Sequence, residues 1–232
     1  MSTRDYSSMP SRFGVGAENI LLTEESTMVL SPALVLGSLR LKSRAMLSPL
    51  ESVSDVGFRK ICFDLGGAFT WTEMVRAQSI IRNNASALDL MDTHDEMTPT
   101  GIQLLAKCPD ELIRALRHVE HLANTTRPHF KNIMAVDLNF GCPSPSVISE
   151  GGGPALLKRK SKLLKIFQAL SSWKKDNSLK NVGAVGVKIR LGLNSLEQNS
   201  RVYMNVIESA NLSGLDYIVV HARHAKQVQC YI

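Results

Sequence analysis

No apolar run in the chain approaches the roughly 20 residues that a membrane-spanning helix needs. The longest candidates near the start, Ile20-Leu21-Leu22 and Met28-Val29-Leu30, are too short and interrupted for a secretory core. The expectation is therefore a cytoplasmic protein without a membrane partner. Cysteine is scarce as well. Cys62, Cys108, Cys142 and Cys230 are scattered, and no two form a CxxC pair. That spacing argues against both a zinc site and a disulfide framework. A free cysteine is most often a small buried hydrophobe. Only Cys142 has glycine and proline on either side of it, so only there does the sequence point to a reactive thiol.

What is present suits one sizeable domain, since 232 residues can bury a core of ordinary size. The net charge of +6 is compatible with a nucleic-acid partner without being diagnostic of one. Its distribution is uneven. Lys158, Arg159, Lys160, Lys162 and Lys165 are followed by Lys174, Lys175 and Lys180, with Asp176 the only acid among them. Such a run is either a solvated helix face or a surface for a phosphate backbone.

Residues 1–40 are rich in Ser, Thr and Met without a period, and read as an irregular N-terminal extension. From there to residue 232 strand-like and helix-like segments alternate. Strands are expected at 45–47, 68–71, 101–105, 135–139, 184–191 and 216–220. Helices are expected after Asp55 as N-cap, from Pro109, around Leu163–Leu170 and around Val202–Ala210. Repeated strand–helix units mean a parallel sheet. Six in a row favour an α/β fold of the (β/α)8 TIM-barrel type, incomplete because eight units close such a barrel.

Barrel strands send alternate side chains inward. The pattern sets Gln103 against Ile102 and Leu104, and Asp137 and Asn139 against Val136 and Leu138. It likewise sets Lys188 and Arg190 against Val187 and Ile189, and His221 against Ile218 and Val220. The polar set thus points inward at the C-terminal ends of the strands, where α/β folds bind ligands. Burying Lys188 and Arg190 unpaired would cost several kcal/mol each. Either Asp137 meets them in an internal ion-pair network, or an anionic cofactor does.

The stretch Asp137-Leu138-Asn139-Phe140-Gly141-Cys142-Pro143, followed by Val147, Gly151-Gly152-Gly153 and Ala155-Leu156-Leu157, resembles the signature of the tRNA-dihydrouridine synthases. So do Val187-Lys188-Ile189-Arg190-Leu191-Gly192, Val220-His221-Ala222-Arg223, Ser48-Pro49-Leu50 and Thr72-Glu73-Met74. The resemblance covers residues 44–226. It implies FMN-dependent reduction of uridine to 5,6-dihydrouridine in tRNA, with NADPH or NADH as electron donor. The flavin would deliver hydride to C6 of the uracil. Cys142 would donate a proton to C5, a task a thiol suits. The target uridine must leave its stack, at a cost of a few kcal/mol. Ser48, Pro49, Leu50, Gln103, Lys188, His221 and Arg223 would hold the cofactor. Asn139 would orient the uracil, and Arg190 would bind substrate.

The chain departs from that pattern in three places. The phosphate-holding turns expected after a seventh and an eighth strand do not occur. The expectation is a truncated form without the C-terminal helical domain that in the family helps grip tRNA. Ser144-Pro145-Ser146 replaces the usual basic residues after the cysteine–proline pair. Two other readings stay open: a dihydroorotate- or dihydropyrimidine-dehydrogenase-like flavoenzyme, and an inactive RNA-binding fragment. The missing phosphate turns predict that this chain alone binds FMN weakly or not at all. Titration followed by flavin fluorescence should show no stoichiometric quenching, and tight one-to-one binding would contradict the expectation.

Overall fold

The computed structural model describes residues 34–93 and 97–227. The described chain begins with an antiparallel hairpin, β1 (Leu34–Leu36) and β2 (Leu39–Leu41). Then follow α1 (Val56–Asp64), β3 (Thr70–Arg76), α2 (Ala77–Ile81), α3 (Ala85–Asp89), β4 (Thr100–Leu105) and α4 (Pro109–Asn124). The second half holds β5 (Ile133–Phe140), α5 (Pro145–Ser149), α6 (Lys160–Asp176), β6 (Ala184–Arg190), α7 (Ser195–Asn199), α8 (Met204–Ser213) and β7 (Tyr217–His221). Strands β3 to β7 pair in parallel in chain order, each with the next. The strand expected at 45–47 is reduced to a single parallel bridge from Met46 to Phe69, which continues the sheet past β3. The result is a sequential βα array curving as an incomplete barrel.

Side-chain alternation divides the interior into two layers. Ile102, Leu104, Val136, Leu138, Val185, Val187 and Ile189 face the helices and are sealed with Leu112, Leu116, Phe167 and Leu170. The opposite faces of the strands carry Trp71, Ala135 and Ala184, and these pack with Phe69 and the hairpin leucines Leu36, Leu39 and Leu41. The hairpin thus plugs the N-terminal end of the sheet from inside. Residues 34–40 fall in the stretch read from sequence as an irregular extension; the short Leu-rich segment instead turns at Gly37, whose φ is +56°. The remainder of that extension and Cys230 lie outside the described residues.

Two glycines let aromatic rings cross the inner face. A Cβ at Gly101 would stand 2.3 Å from the Trp71 ring, and one at Gly186 would stand 2.3 Å from the Tyr217 ring. Trp71 and Tyr217 lie with centroids 5.9 Å apart, forming an aromatic floor under the polar end of the sheet.

The helices begin and end where their sequences dictate. Asp55 caps α1 by accepting from the Phe58 N–H at 2.7 Å. Pro109 sits in the first turn of α4 with Asp110 and Glu111, an arrangement that favours a helix N-terminus. Helix α1 and its C-cap Leu65 turn large apolar side chains to solvent. Ile61 is 57% and Leu65 84% exposed, whereas Arg59 is buried and donates to the Ser54 carbonyl at 2.6 Å. At the far edge of the sheet Leu212 and Val220 are exposed as well. Among the described residues, no helix is long and apolar enough to cross a membrane.

Candidate active site

The polar inward residues meet at the C-terminal ends of β4, β5 and β6, and hydrogen bonds order them into a chain. Gln103 Nε2 donates to Asp137 Oδ2 at 2.7 Å. Asn139 Nδ2 donates to Gln103 Oε1 at 2.8 Å. Asn139 Oδ1 accepts from the backbone N–H groups of Gly141 at 3.0 Å and Cys142 at 2.8 Å. Direction is therefore fixed at every joint. The backbone N–H groups of the cysteine turn can only donate, so Asn139 meets them with its oxygen. Its amide nitrogen is left for the Gln103 oxygen, and the Gln103 nitrogen for Asp137. The register makes this possible, since Gln103 stands beside Asp137 and Asn139 beside Lys188.

Arg190 fastens the same turn from the next strand. Its Nε donates to the Gly141 carbonyl at 2.9 Å, and its Nη1 reaches the His224 carbonyl at 3.5 Å. The guanidinium expected to meet a substrate thus bridges the loops after β5 and β7. His221 stands beside Arg190 in the sheet register. The turn after it is tight: the Arg223 N–H donates to the His221 carbonyl at 2.7 Å, and the Leu191 N–H donates to the Arg223 carbonyl. Burial, with the positive charges of Arg190, Lys188 and Arg223, lowers the His221 pKa. Its imidazole is a neutral donor or acceptor in a cationic corner.

Asp137 is strongly perturbed. Burial pushes its carboxyl up to about 7, against the opposing pull of the Gln103 amide, the Tyr217 phenol and the Lys188 ammonium. Its Oδ1 is buried without a hydrogen-bond partner, and the Tyr217 hydroxyl, lying close by, makes only a long 3.5 Å contact to the Val136 carbonyl. Burial lowers the Lys188 pKa, with Asp137 acting in the other direction. The internal network weighed from sequence is thus a coulombic neighbourhood of Asp137 and Lys188, and the described bond to Asp137 comes from Gln103.

Two openings flank the hydrogen-bond chain. A recess of about 90 Å³ is lined by Met46, Leu47, Ser48, Pro49, Trp71, Asp137, Lys188 and Val219. A separate cleft of about 280 Å³ is bordered by Cys142, Met74, Arg76, Ser144 and Ser146. Cys142 is 8% exposed and packs on Leu105 and Val147. Ser48, Pro49 and Lys188 therefore share one opening, while the thiol borders the other. Gln103, at 1% exposure, lies between Asp137 and Asn139 in the chain. Leu50 is exposed and borders neither space, and its N–H is held by Ser54 Oγ at 2.8 Å.

The recess fits the edge of a flat, electron-rich ring. It offers an ammonium, an aromatic wall at Trp71 and a buried carboxyl oxygen lacking a donor. Gln103 retains one N–H and one lone pair beyond its two internal bonds. Sequence reasoning missed Trp71 and Tyr217, whose place on the inward face was legible from strand alternation. It also missed Arg76 and Lys107, whose convergence depends on long-range packing.

An open parallel sheet, with a thiol and a directed amide–carboxyl chain at its C-terminal mouth, defines a barrel enzyme. Residues 46–230 match the family model described as Dihydrouridine synthase (Dus), and the chain belongs to that family. It is similar to a tRNA-dihydrouridine(47) synthase (NAD(P)(+)) of Aspergillus niger, 30% identical over 212 residues, covering 78% of this chain and 27% of that protein. The corresponding protein of Aspergillus clavatus is 31% identical over 211 residues, with the same two coverages. A probable tRNA-dihydrouridine synthase of Rickettsia prowazekii is 28% identical over 190 residues, covering 81% of this chain and 52% of that protein. The chain thus spans about a quarter to a half of the length of these curated relatives.

Asp137 gives the site a pH signature. Its native pKa of about 7 lies above its ordinary value of 3.8, so the native state retains a proton that the unfolded chain has lost. Stability should fall as pH rises through that window, by at most about 1.4 kcal/mol per pH unit. Urea midpoints measured from pH 4 to 7.5 should show this fall in the wild type and a flatter profile in Asp137→Asn. Equal slopes in the two proteins would contradict the assignment.

Proposed function

We propose that this chain carries the catalytic residues of a flavin-dependent tRNA-dihydrouridine synthase, acting in the cytoplasm and drawing electrons from NADPH or NADH. The observation that carries this reading is the hydrogen-bond chain from Asp137 through Gln103 and Asn139 to the Cys142 turn. It links a recess suited to a flat cofactor with a cleft holding a proton donor.

FMN, when bound, supplies the reducing equivalents that reach C6 of the uracil. Lys188 would face its electron-rich edge, where a fixed positive charge favours the reduced form. Ser48 and Pro49 line the same recess, and Gln103 supplies its remaining N–H. His221 and Arg223 add polar and cationic groups on the β7 side. The Cys142 Sγ–H gives its proton to C5 of the ring and is restored from solvent. Asn139 orients that thiol by gripping the two N–H groups of its turn, which leaves its second amide N–H available to a uracil carbonyl. Arg190 acts on the substrate through the turn it clamps at Gly141.

The test is formation of dihydrouridine in an unmodified tRNA transcript, with NADPH supplied and FMN in large excess to offset the weak affinity expected of this chain. Cys142→Ala should lower the rate by about 10²- to 10⁴-fold, the range for loss of a general acid. Reduction of the flavin by NADPH should remain at the wild-type rate. Undiminished dihydrouridine formation in the variant would contradict the reading. Turnover of free uracil or dihydroorotate in place of tRNA would favour a pyrimidine dehydrogenase.

A further inference from the structure

The cleft beside Cys142 is walled by polar groups that uridine reduction itself does not use. Arg76, the last residue of β3, lies on it together with Ser144 and Ser146 from the loop and first turn after the cysteine. Arg76 Nη2 donates to Ser146 Oγ at 3.2 Å, and the Ser144 and Ser146 hydroxyls are 3.0 Å apart. Arg76 Nη1 also contacts Glu150 Oε2 at 3.2 Å. Lys107, just beyond β4, meets the same oxygen at 3.1 Å. Two cations from two strand ends therefore converge on one carboxylate oxygen. Glu51, from the segment ahead of α1, is the acid lining the cleft itself, while Lys107, Glu111 and Glu150 border a small adjoining recess that shares Arg76 with it.

The arrangement has the features of an anion seat. Two cations share one carboxylate oxygen, so neither has Glu150 to itself. Both cations remain partly solvated, with 37% of the Arg76 side chain and 26% of the Lys107 side chain exposed. Glu150 is more exposed still, at 43%, so water and salt screen its hold on them. A second anion can replace it with little loss. An arginine fork and two adjacent hydroxyls match the oxygens of a phosphodiester, which offers acceptors in several directions.

We infer that Arg76, Lys107, Ser144 and Ser146 form a seat for a backbone phosphate of tRNA next to the uridine presented to Cys142, with Glu150 occupying the cations until RNA arrives. The inference rests on the reading of Cys142 as the group that faces the uracil. A flipped nucleotide must be held by its backbone while its base is out of the stack. A phosphate contact fixes position without reading sequence. Several lysines of the basic run at 158–180 already have acidic partners: Lys158 pairs with Glu197 at 2.8 Å, Lys174 with Asp216 at 2.7 Å, and Lys160 with Glu208.

The test is equilibrium binding of an end-labelled, unmodified tRNA transcript to the full chain across a range of salt concentrations. Replacing both Arg76→Gln and Lys107→Gln should reduce the log–log salt slope by about 0.7, the value for one phosphate of a single strand left unneutralised. Glu150→Gln keeps both cations and removes their competitor, so it should tighten binding severalfold. The pair Lys162→Gln and Lys165→Gln, removing the same charge from α6, should change the slope by less than half as much. An unchanged slope in the Arg76/Lys107 variant, or a larger change in the α6 variant, would overturn the inference. So would a loss of NADPH affinity with tRNA binding intact, which would assign the seat to the dinucleotide. If the slope is unchanged while Cys142→Ala still abolishes dihydrouridine formation, this inference fails and the reaction assignment stands. If the slope falls while Cys142→Ala keeps full activity, the phosphate seat stands and the reaction assignment fails.

Discussion

The carboxyl group of Asp137 is the fixed point of this structure. It is sealed inside the sheet, where Gln103 donates to it at 2.7 Å and the Tyr217 phenol lies close by. A half-satisfied buried acid is costly, and a low-dielectric setting strengthens each bond it does make. Gln103 is thereby oriented, and through it Asn139. Asn139 then closes the turn that presents Cys142. Rotating either amide would set like groups against each other along the whole line. The order of strands makes this economical, because β4, β5 and β6 are neighbours and their inward residues stand level.

Aromatic rings and glycines prepare the space below. Tyr217 lies over Gly186, directly across from Asp137 in the sheet, and Trp71 lies over Gly101. The hairpin leucines fill the end beneath them. The mouth above is thus left as the place where polar groups can gather beside open volume. On one side the recess presents Lys188, and on the other the cleft presents the thiol. The separation suits a reaction in which electrons and the proton arrive from different groups.

Much of this was legible in the chain. Alternation in Val136–Asn139 and Val185–Arg190 named the inward residues correctly, because a residue with helices on one side and a barrel interior on the other has two unlike faces. Gly141 and Pro143 marked the end of β5, which the structure places just after Phe140. The family resemblance carried the fold and the chemistry beyond what pattern alone allowed. Other features were hidden. The hairpin at 34–41 has three-residue strands, too short for a period to show. In α1 a buried Arg59 and an exposed Ile61 reverse the usual sidedness, which no local rule anticipates. Arg190 was expected to reach a ligand, yet its fork is used on the Gly141 and His224 carbonyls, partners 49 and 34 residues away. The convergence of Arg76 and Lys107 on Glu150 likewise joins residues 74 and 43 positions apart. Such meetings follow from packing, which sequence spacing does not encode.

The claim that a relay of side chains positions the thiol is most directly tested by amide hydrogen exchange in Gln103→Leu. That substitution removes the middle joint while leaving Asp137, Asn139 and the backbone of the cysteine turn in place. The account predicts that the Gly141 and Cys142 N–H groups exchange about tenfold faster or more, as about 1.4 kcal/mol of local protection is lost. The ladder amides of Leu138 and Val187 should keep wild-type rates. Unchanged exchange at Gly141 and Cys142 would show that the turn holds itself, and would contradict the account.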